Sequence, residues 1–183
     1  MKRILTLFLA LVLLLSVGVT AMATGYTGDV APLNVLLTNA DTGEVLYSKD
    51  EASDAYSAGL VKLMTAYVTV KSVEDLDSVV TVSKKAFSSL DPDDITLYPA
   101  LKNGETVTVR DLLGAMLVAS STDAALALAH YVGGSVTNFV TYMNSTAQEL
   151  GMTNTKYSNP AGKHSGSQYT TAADLALLVT EIL

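Results

Sequence analysis

Lys62 lies in the segment Ser57-Ala58-Gly59-Leu60-Val61-Lys62-Leu63-Met64-Thr65-Ala66-Tyr67. A lysine amine works as a base only when a nucleophile stands beside it. One helical turn before it comes Gly59, which has no side chain to attack a carbonyl. Ser57 precedes Lys62 by five residues, and at about 100° per residue it points about 140° away from the lysine, so it reads as a helix cap and not as a nucleophile. Ser120 can meet Lys62 only across a gap between helices. His130 and His164 each lack an orienting carboxylate in sequence, and no pair or cluster has metal-ligand spacing. Asp91, Asp93 and Asp94 lack the glycine and distal glutamate of a calcium loop and read as a solvated acidic surface. Neither a metal nor a cofactor is implied.

The elements that must position these groups follow an α/β pattern. Val35-Leu36-Leu37 and Val45-Leu46-Tyr47 flank a turn-rich stretch containing Gly43 and predict an antiparallel hairpin. From Gly59 to Val73 apolar residues recur at helical spacing, and Val79 to Val82 reads as a short strand. The stretch from Ser83 to Gly104, with Pro92 and Pro99, has no sustained period and reads as surface. Val107 to Asp111 leads into a buried helix over Leu112 to Val118, which Ser120-Ser121-Thr122 interrupts before a second helix from Asp123 to Ala129. A third helix runs from about Phe139 to Leu150 with Gly151 as its C-cap, and a last one has Thr170 or Thr171 as its cap and Asp174 in its first turn.

Lys2 and Arg3, the apolar run from Ile4 to Val19 and the small-x-small triplet Ala21-Met22-Ala23 form a secretory signal over residues 1–23. Uncleaved, that run would anchor the chain in a membrane. Residues 24–34 read as a short linker and 35–183 as one domain, secreted into the cell envelope. With the signal removed, 9 basic residues face 18 acidic ones, a charge of −9 with both histidines neutral. That balance excludes a nucleic-acid partner, whose phosphates require a basic face. The chain has no cysteine, so neither a disulfide nor a thioether lipid supports it.

Seven blocks carry a family resemblance: Asp41-Thr42-Gly43-Glu44-Val45-Leu46-Tyr47, Lys62-Leu63-Met64-Thr65-Ala66, Val107 to Leu113, Asp123-Ala124-Ala125 with Ala127-Leu128-Ala129, Leu150-Gly151-Met152, Asn159-Pro160-Ala161-Gly162 and Thr171 to Ala176. Their order resembles that of the D-alanyl-D-alanine carboxypeptidases, the low-molecular-weight penicillin-binding proteins. The resemblance implies a penicillin-binding-protein/β-lactamase-like α/β (α+β) fold, an antiparallel sheet packed with helices and a helical subdomain. It also implies a serine peptidase that removes the terminal D-alanine of peptidoglycan stem peptides through an acyl-enzyme. A class A β-lactamase fits less well, because the Asp41 to Glu44 turn and the Asn159 to Gly162 block belong to the carboxypeptidase pattern.

Under this resemblance Gly59 occupies the nucleophile position, Lys62 that of the base and Ser120 that of the second-motif serine that relays protons. Thr122 stands where an asparagine would hold the substrate amide, and no Lys-Thr-Gly occurs in the sequence. Lys62 is then expected to be a hydrogen-bonded amine in a half-buried pocket, satisfied by Ser120 and backbone carbonyls. The family fold completes the N-terminal hairpin with later strands, so the domain is expected to be incomplete at its C-terminus, with a completing polypeptide as one partner. The expected function is a carboxypeptidase-like protein of peptidoglycan metabolism, inactive as written, with a stem peptide or β-lactam as ligand. The alternative is a non-catalytic cell-wall peptide-binding or regulatory module.

Overall fold

The computed structural model describes residues 31–88 and 100–183. The export signal and the Asp91, Asp93 and Asp94 loop lie outside the described residues. Strands β1 (Val35–Thr38) and β2 (Val45–Lys49) pair antiparallel, with Val35 opposite Lys49 and Leu37 opposite Tyr47. Asn39 closes their turn, its Oδ1 accepting from the Asp41 and Thr42 amides at 2.9 and 3.1 Å. A second two-stranded sheet joins β3 (Val79–Thr81) to β4 (Thr106–Thr108), with Val80 opposite Val107.

Five helices follow the predicted order: α1 (Val61–Ser72), α2 (Val109–Val118), α3 (Thr122–Gly133), α4 (Val136–Glu149) and α5 (Ala172–Ile182). Three starts differ from expectation; α4 begins at Val136 and not near Phe139, because Ser135 Oγ caps it by accepting from the Asn138 amide at 3.2 Å. Regular α1 begins at Val61, after a 3₁₀ turn over Ala58–Leu60, because Ala58 has φ +41° and cannot enter an α-helix. Helix α2 begins at Val109, three residues early, because Thr108 Oγ1 accepts from the Asp111 amide at 3.0 Å and donates to its carboxylate at 2.7 Å. That reciprocal cap turns the chain from β4 directly into the helix. The other caps fall as predicted: Thr171 accepts from the Asp174 amide at 3.0 Å, and α4 ends in a Schellman pair. There the Met152 amide reaches Ala147 O at 2.8 Å and the Gly151 amide reaches Gln148 O at 3.1 Å, with Gly151 at φ +78°.

Helix α1 is the central post. Its Val61, Met64 and Val68 pack with Ala129 of α3, Phe139, Met143 and Ala147 of α4, and Leu178 of α5. A second core joins α2 to α3, where Leu112, Leu113 and Met116 meet Ala124, Ala125 and Leu128, with Val80 of β3 beneath. The short alanine side chains of α3 let its backbone serve both cores. The hairpin lies outside them, touching α5 through β1 and leaving Leu37 and Val45 exposed.

Phe139 is fully buried at the junction of α1 and α4. Replacing it with alanine removes its packing and leaves a cavity, so Phe139→Ala should destabilise the domain by about 3–5 kcal/mol. Urea unfolding checks this, read as a lower midpoint with an unchanged slope.

Candidate active site

Lys62 and Thr65, three residues apart in the first turns of α1, lie on one face of the helix. Lys62 Nζ donates to Ala161 O at 2.7 Å, and Thr65 Oγ1 donates to Pro160 O at 2.7 Å. Two successive carbonyls of one loop are thereby held to the helix. The loop is shaped by Asn159, whose Oδ1 accepts from the amides of Ala161, Gly162 and Lys163 at 3.2, 2.8 and 3.0 Å. Buried Gln168 fixes the entry to the turn, its Oε1 accepting from the amides of Ser158 and Asn159 at 3.0 and 3.2 Å.

This clamp presses the loop against the start of α1. A Cβ at Gly162 would sit 2.0 Å from Ala58 O, and its φ is +87°, so only glycine fits there. The contact holds Ala58 in its left-handed conformation, which brings Gly59 to the surface. A Cβ at Gly59 would point into open space, with Ser120 Oγ as its nearest neighbour at 4.0 Å. Ser120 is exposed and left-handed as well, at φ +56°.

The next two residues secure that corner. Ser121 caps α3, accepting from the Ala124 amide at 3.2 Å and donating to the buried Asp123 carboxylate. Asp123 Oδ2 in turn accepts from the Leu101 amide at 2.7 Å, tying the α2–α3 corner to the segment before β4.

Gly59 and Ser120 therefore face each other at the surface, and Lys62 lies buried one turn after Gly59. Lys62 is 7% exposed and more enclosed than the expected half-buried pocket. Its hydrogen-bond acceptor among the described residues is Ala161 O and not Ser120. Burial without a carboxylate partner pushes the Lys62 ammonium below the usual lysine range. Thr122, two residues past Ser120, opens α3 and is half-buried.

The remaining candidates lie elsewhere. Ser57 stands at the N-cap of the 3₁₀ turn, but its hydroxyl makes no capping bond and has no partner among the described residues. It shares a cavity of about 50 Å³ with Gly162, His164 and Gln168, and the His164 ring stands edge-on to Tyr56 with centroids 4.8 Å apart. His130 lines a separate groove with Lys85 and Asn144. Sequence reading missed the physical work of Thr65, Asn159, Gln168 and Gly162. The Asn-Pro-x-Gly turn was the signal for Asn159 and Gly162, because asparagine and glycine at that spacing build a tight loop.

The sequence profile of the D-alanyl-D-alanine carboxypeptidase family matches residues 18–183. The chain belongs to this family. It is 32% identical over 192 aligned positions to D-alanyl-D-alanine carboxypeptidase DacF of Bacillus subtilis, covering 100% of this chain and 48% of the relative. The crystal structure of D-alanyl-D-alanine carboxypeptidase DacD from Francisella tularensis superposes with a TM-score of 0.78 at 33% identity, over 85% of this chain and 38% of that one. Penicillin binding protein 6B from Escherichia coli superposes at 0.75 and 31% identity, over 86% and 52%. The chain thus spans about half the length of these relatives or less, and its α+β fold is that of the penicillin-binding proteins. No described helix is long and apolar enough to cross a membrane.

The two site glycines should respond in opposite ways to an added methyl. Gly162→Ala forces a backbone clash in a left-handed residue and should lower stability by about 2–4 kcal/mol. Gly59→Ala meets nothing and should change stability by no more than about 1 kcal/mol. Thermal melts of the two variants check both.

Proposed function

We propose that this chain is a carboxypeptidase-family protein of peptidoglycan metabolism that has lost serine acyl transfer and keeps the cleft in which it took place. The observation that carries this reading is the exposed Gly59 facing Ser120, with Lys62 beside it. Acyl transfer by the family's route needs an oxygen at that position to attack the carbonyl, with the lysine to take its proton. Gly59 supplies no oxygen, and Ser57 directs a buried hydroxyl into a small cavity of its own.

The ligand class follows from the family: a peptide ending in D-Ala-D-Ala, or a β-lactam. Ser120 and Thr122 border the place where such a ligand would lie, and Thr122 offers a hydroxyl where the family pattern has an asparagine amide. Residues 1–23 carry the export signal that would deliver the domain of residues 35–183 to the cell envelope, and an uncleaved signal would hold it at the membrane.

A non-catalytic peptide-binding or regulatory role is the second reading. It is favoured by the two left-handed residues, Ala58 and Ser120, that still flank Gly59. Such strained positions persist only where neighbours over-determine them, and they gather at functional sites. A binding module needs the shaped cleft and has no use for the nucleophile.

Two measurements test the proposal. Incubation with a synthetic peptide ending in D-Ala-D-Ala should release no D-alanine, and penicillin should leave no hydroxylamine-labile ester on Ser57, Ser120 or Ser121 by mass spectrometry. Turnover, or an ester at any of these serines, would overturn the loss of acyl transfer. Gly59→Ser should restore penicillin acylation only weakly, and Gly59→Ser with Thr122→Asn should exceed it by more than the single changes add, because catalytic groups act as a unit.

A further inference from the structure

The buried amine of Lys62 has no task in a cleft without a serine. Its environment nevertheless differs from that of the surface lysines. Lys71, for comparison, is exposed and donates to the Tyr67 hydroxyl at 3.1 Å. Lys62 is buried where α1 meets the Asn159 loop, and among the described residues no carboxylate pairs with it. An ammonium held by a single carbonyl and desolvated on its other sides favours loss of a proton. The resulting neutral amine still has a hydrogen to donate to Ala161 O, and its lone pair is then free.

The lone pair has somewhere to go. By the route the family resemblance implies, a serine at position 59 would take the acyl group first. Gly59 carries no such group, and a Cβ there would meet only Ser120 Oγ. A carbonyl entering over the exposed Gly59 and Ser120 finds no competing oxygen at position 59, and the amine of Lys62 is carried one turn further along the same segment.

We propose that Lys62 Nζ is the nucleophile of this cleft and captures strained or activated acyl groups, a β-lactam among them, as a stable amide. With a β-lactam, the bond from Nζ to the carbonyl carbon forms and the lactam C–N bond breaks. One Nζ proton moves to the ring nitrogen, which leaves as an amine still tethered to the product. Nothing else is consumed or released, so the adduct weighs as much as the protein plus one whole β-lactam. An ordinary peptide amide has neither ring strain nor a good leaving group and would not react. The product amide resists water, so the reaction ends after one capture and gives no turnover. That Lys62 meets a β-lactam at all rests on the function proposed above; its nucleophilicity does not.

The experiment uses the exported domain with two acyl donors. Benzylpenicillin tests the cleft and the nucleophile together, and p-nitrophenyl acetate, too small to need recognition, tests the nucleophile alone. The expected result is one hydroxylamine-resistant penicilloyl group per chain, mapped to Lys62 by peptide mass spectrometry, and acetylation of Lys62 by the ester ahead of Lys71. Lys62→Arg, which keeps a donor for Ala161 O, should abolish the penicilloyl adduct, whereas Lys71→Arg should leave it intact. The mapping in the unaltered chain stands even if Lys62→Arg fails to fold. Acetylation of Lys62 without a penicillin adduct would support the nucleophile and remove the β-lactam cleft. A penicillin-induced rise in melting temperature without any adduct would keep the cleft and overturn Lys62. Labelling by neither donor, or labelling on Ser120, would also overturn it.

Discussion

The contact of Gly162 against Ala58 decides the geometry of the site. Two backbones approach so closely that no side chain fits between them, and the approach is enforced from the other side by Lys62 and Thr65, which hold the preceding carbonyls at 2.7 Å. Asn159 makes the loop tight enough to present Pro160 O and Ala161 O to one face of α1 while Gly162 reaches Ala58. The start of α1 is consequently bent out of helical geometry. Gly59 emerges at the surface opposite Ser120 because of that bend and not through any interaction of its own.

Most of the secondary structure was legible because its causes are local. The hairpin, the break at Ser120, the Gly151 cap and the Thr171 cap each depend on residues within a turn of one another. The failures are also physical. Apolar spacing starts α2 at Leu112, three residues late, because the pairing of Thr108 with Asp111 that caps it involves polar side chains. Pairing β3 with β4 joins segments separated by the long loop, for which periodicity gives no signal. The early part of α1 reads as helix because Leu60 and Leu63 keep the spacing, and the left-handed Ala58 is imposed by a loop a hundred residues later.

The site was legible in a different sense. The grouping of Gly59, Lys62 and Ser120 came from the order of motifs and not from any physical property of those residues; the fold sets Ser120 Oγ 4.0 Å from where a Cβ at Gly59 would lie and turns the Lys62 amine to Ala161 O. The clamp behind it was not read at all. Hydrogen bonds from side chains to distant carbonyls, such as Thr65 to Pro160, leave no mark on hydrophobic spacing. Asn159 entered only as part of a family block, although a single oxygen accepting three amides is what makes that block a rigid turn.

The same contacts explain why position 59 can carry glycine while its surroundings keep their shape. Strain at Ala58 and Ser120 is on the order of 1–3 kcal/mol each, and each is held by interactions that also fold the domain. Ser120 adjoins Ser121 and Asp123, which cap α3 and anchor Leu101. Ala58 adjoins the loop that joins the N-terminal end of α1 to the segment before α5. Glycine at exposed position 59 leaves no buried cavity, since a Cβ there would have only Ser120 Oγ near it at 4.0 Å, so the fold does not depend on a side chain at that point. Lys62 is the opposite case. Removing its amine would leave Ala161 O without this donor in a buried setting, at a penalty of about 1–3 kcal/mol. Position 59 is structurally free to vary and position 62 is not, and that asymmetry leaves a buried amine beside an open cleft.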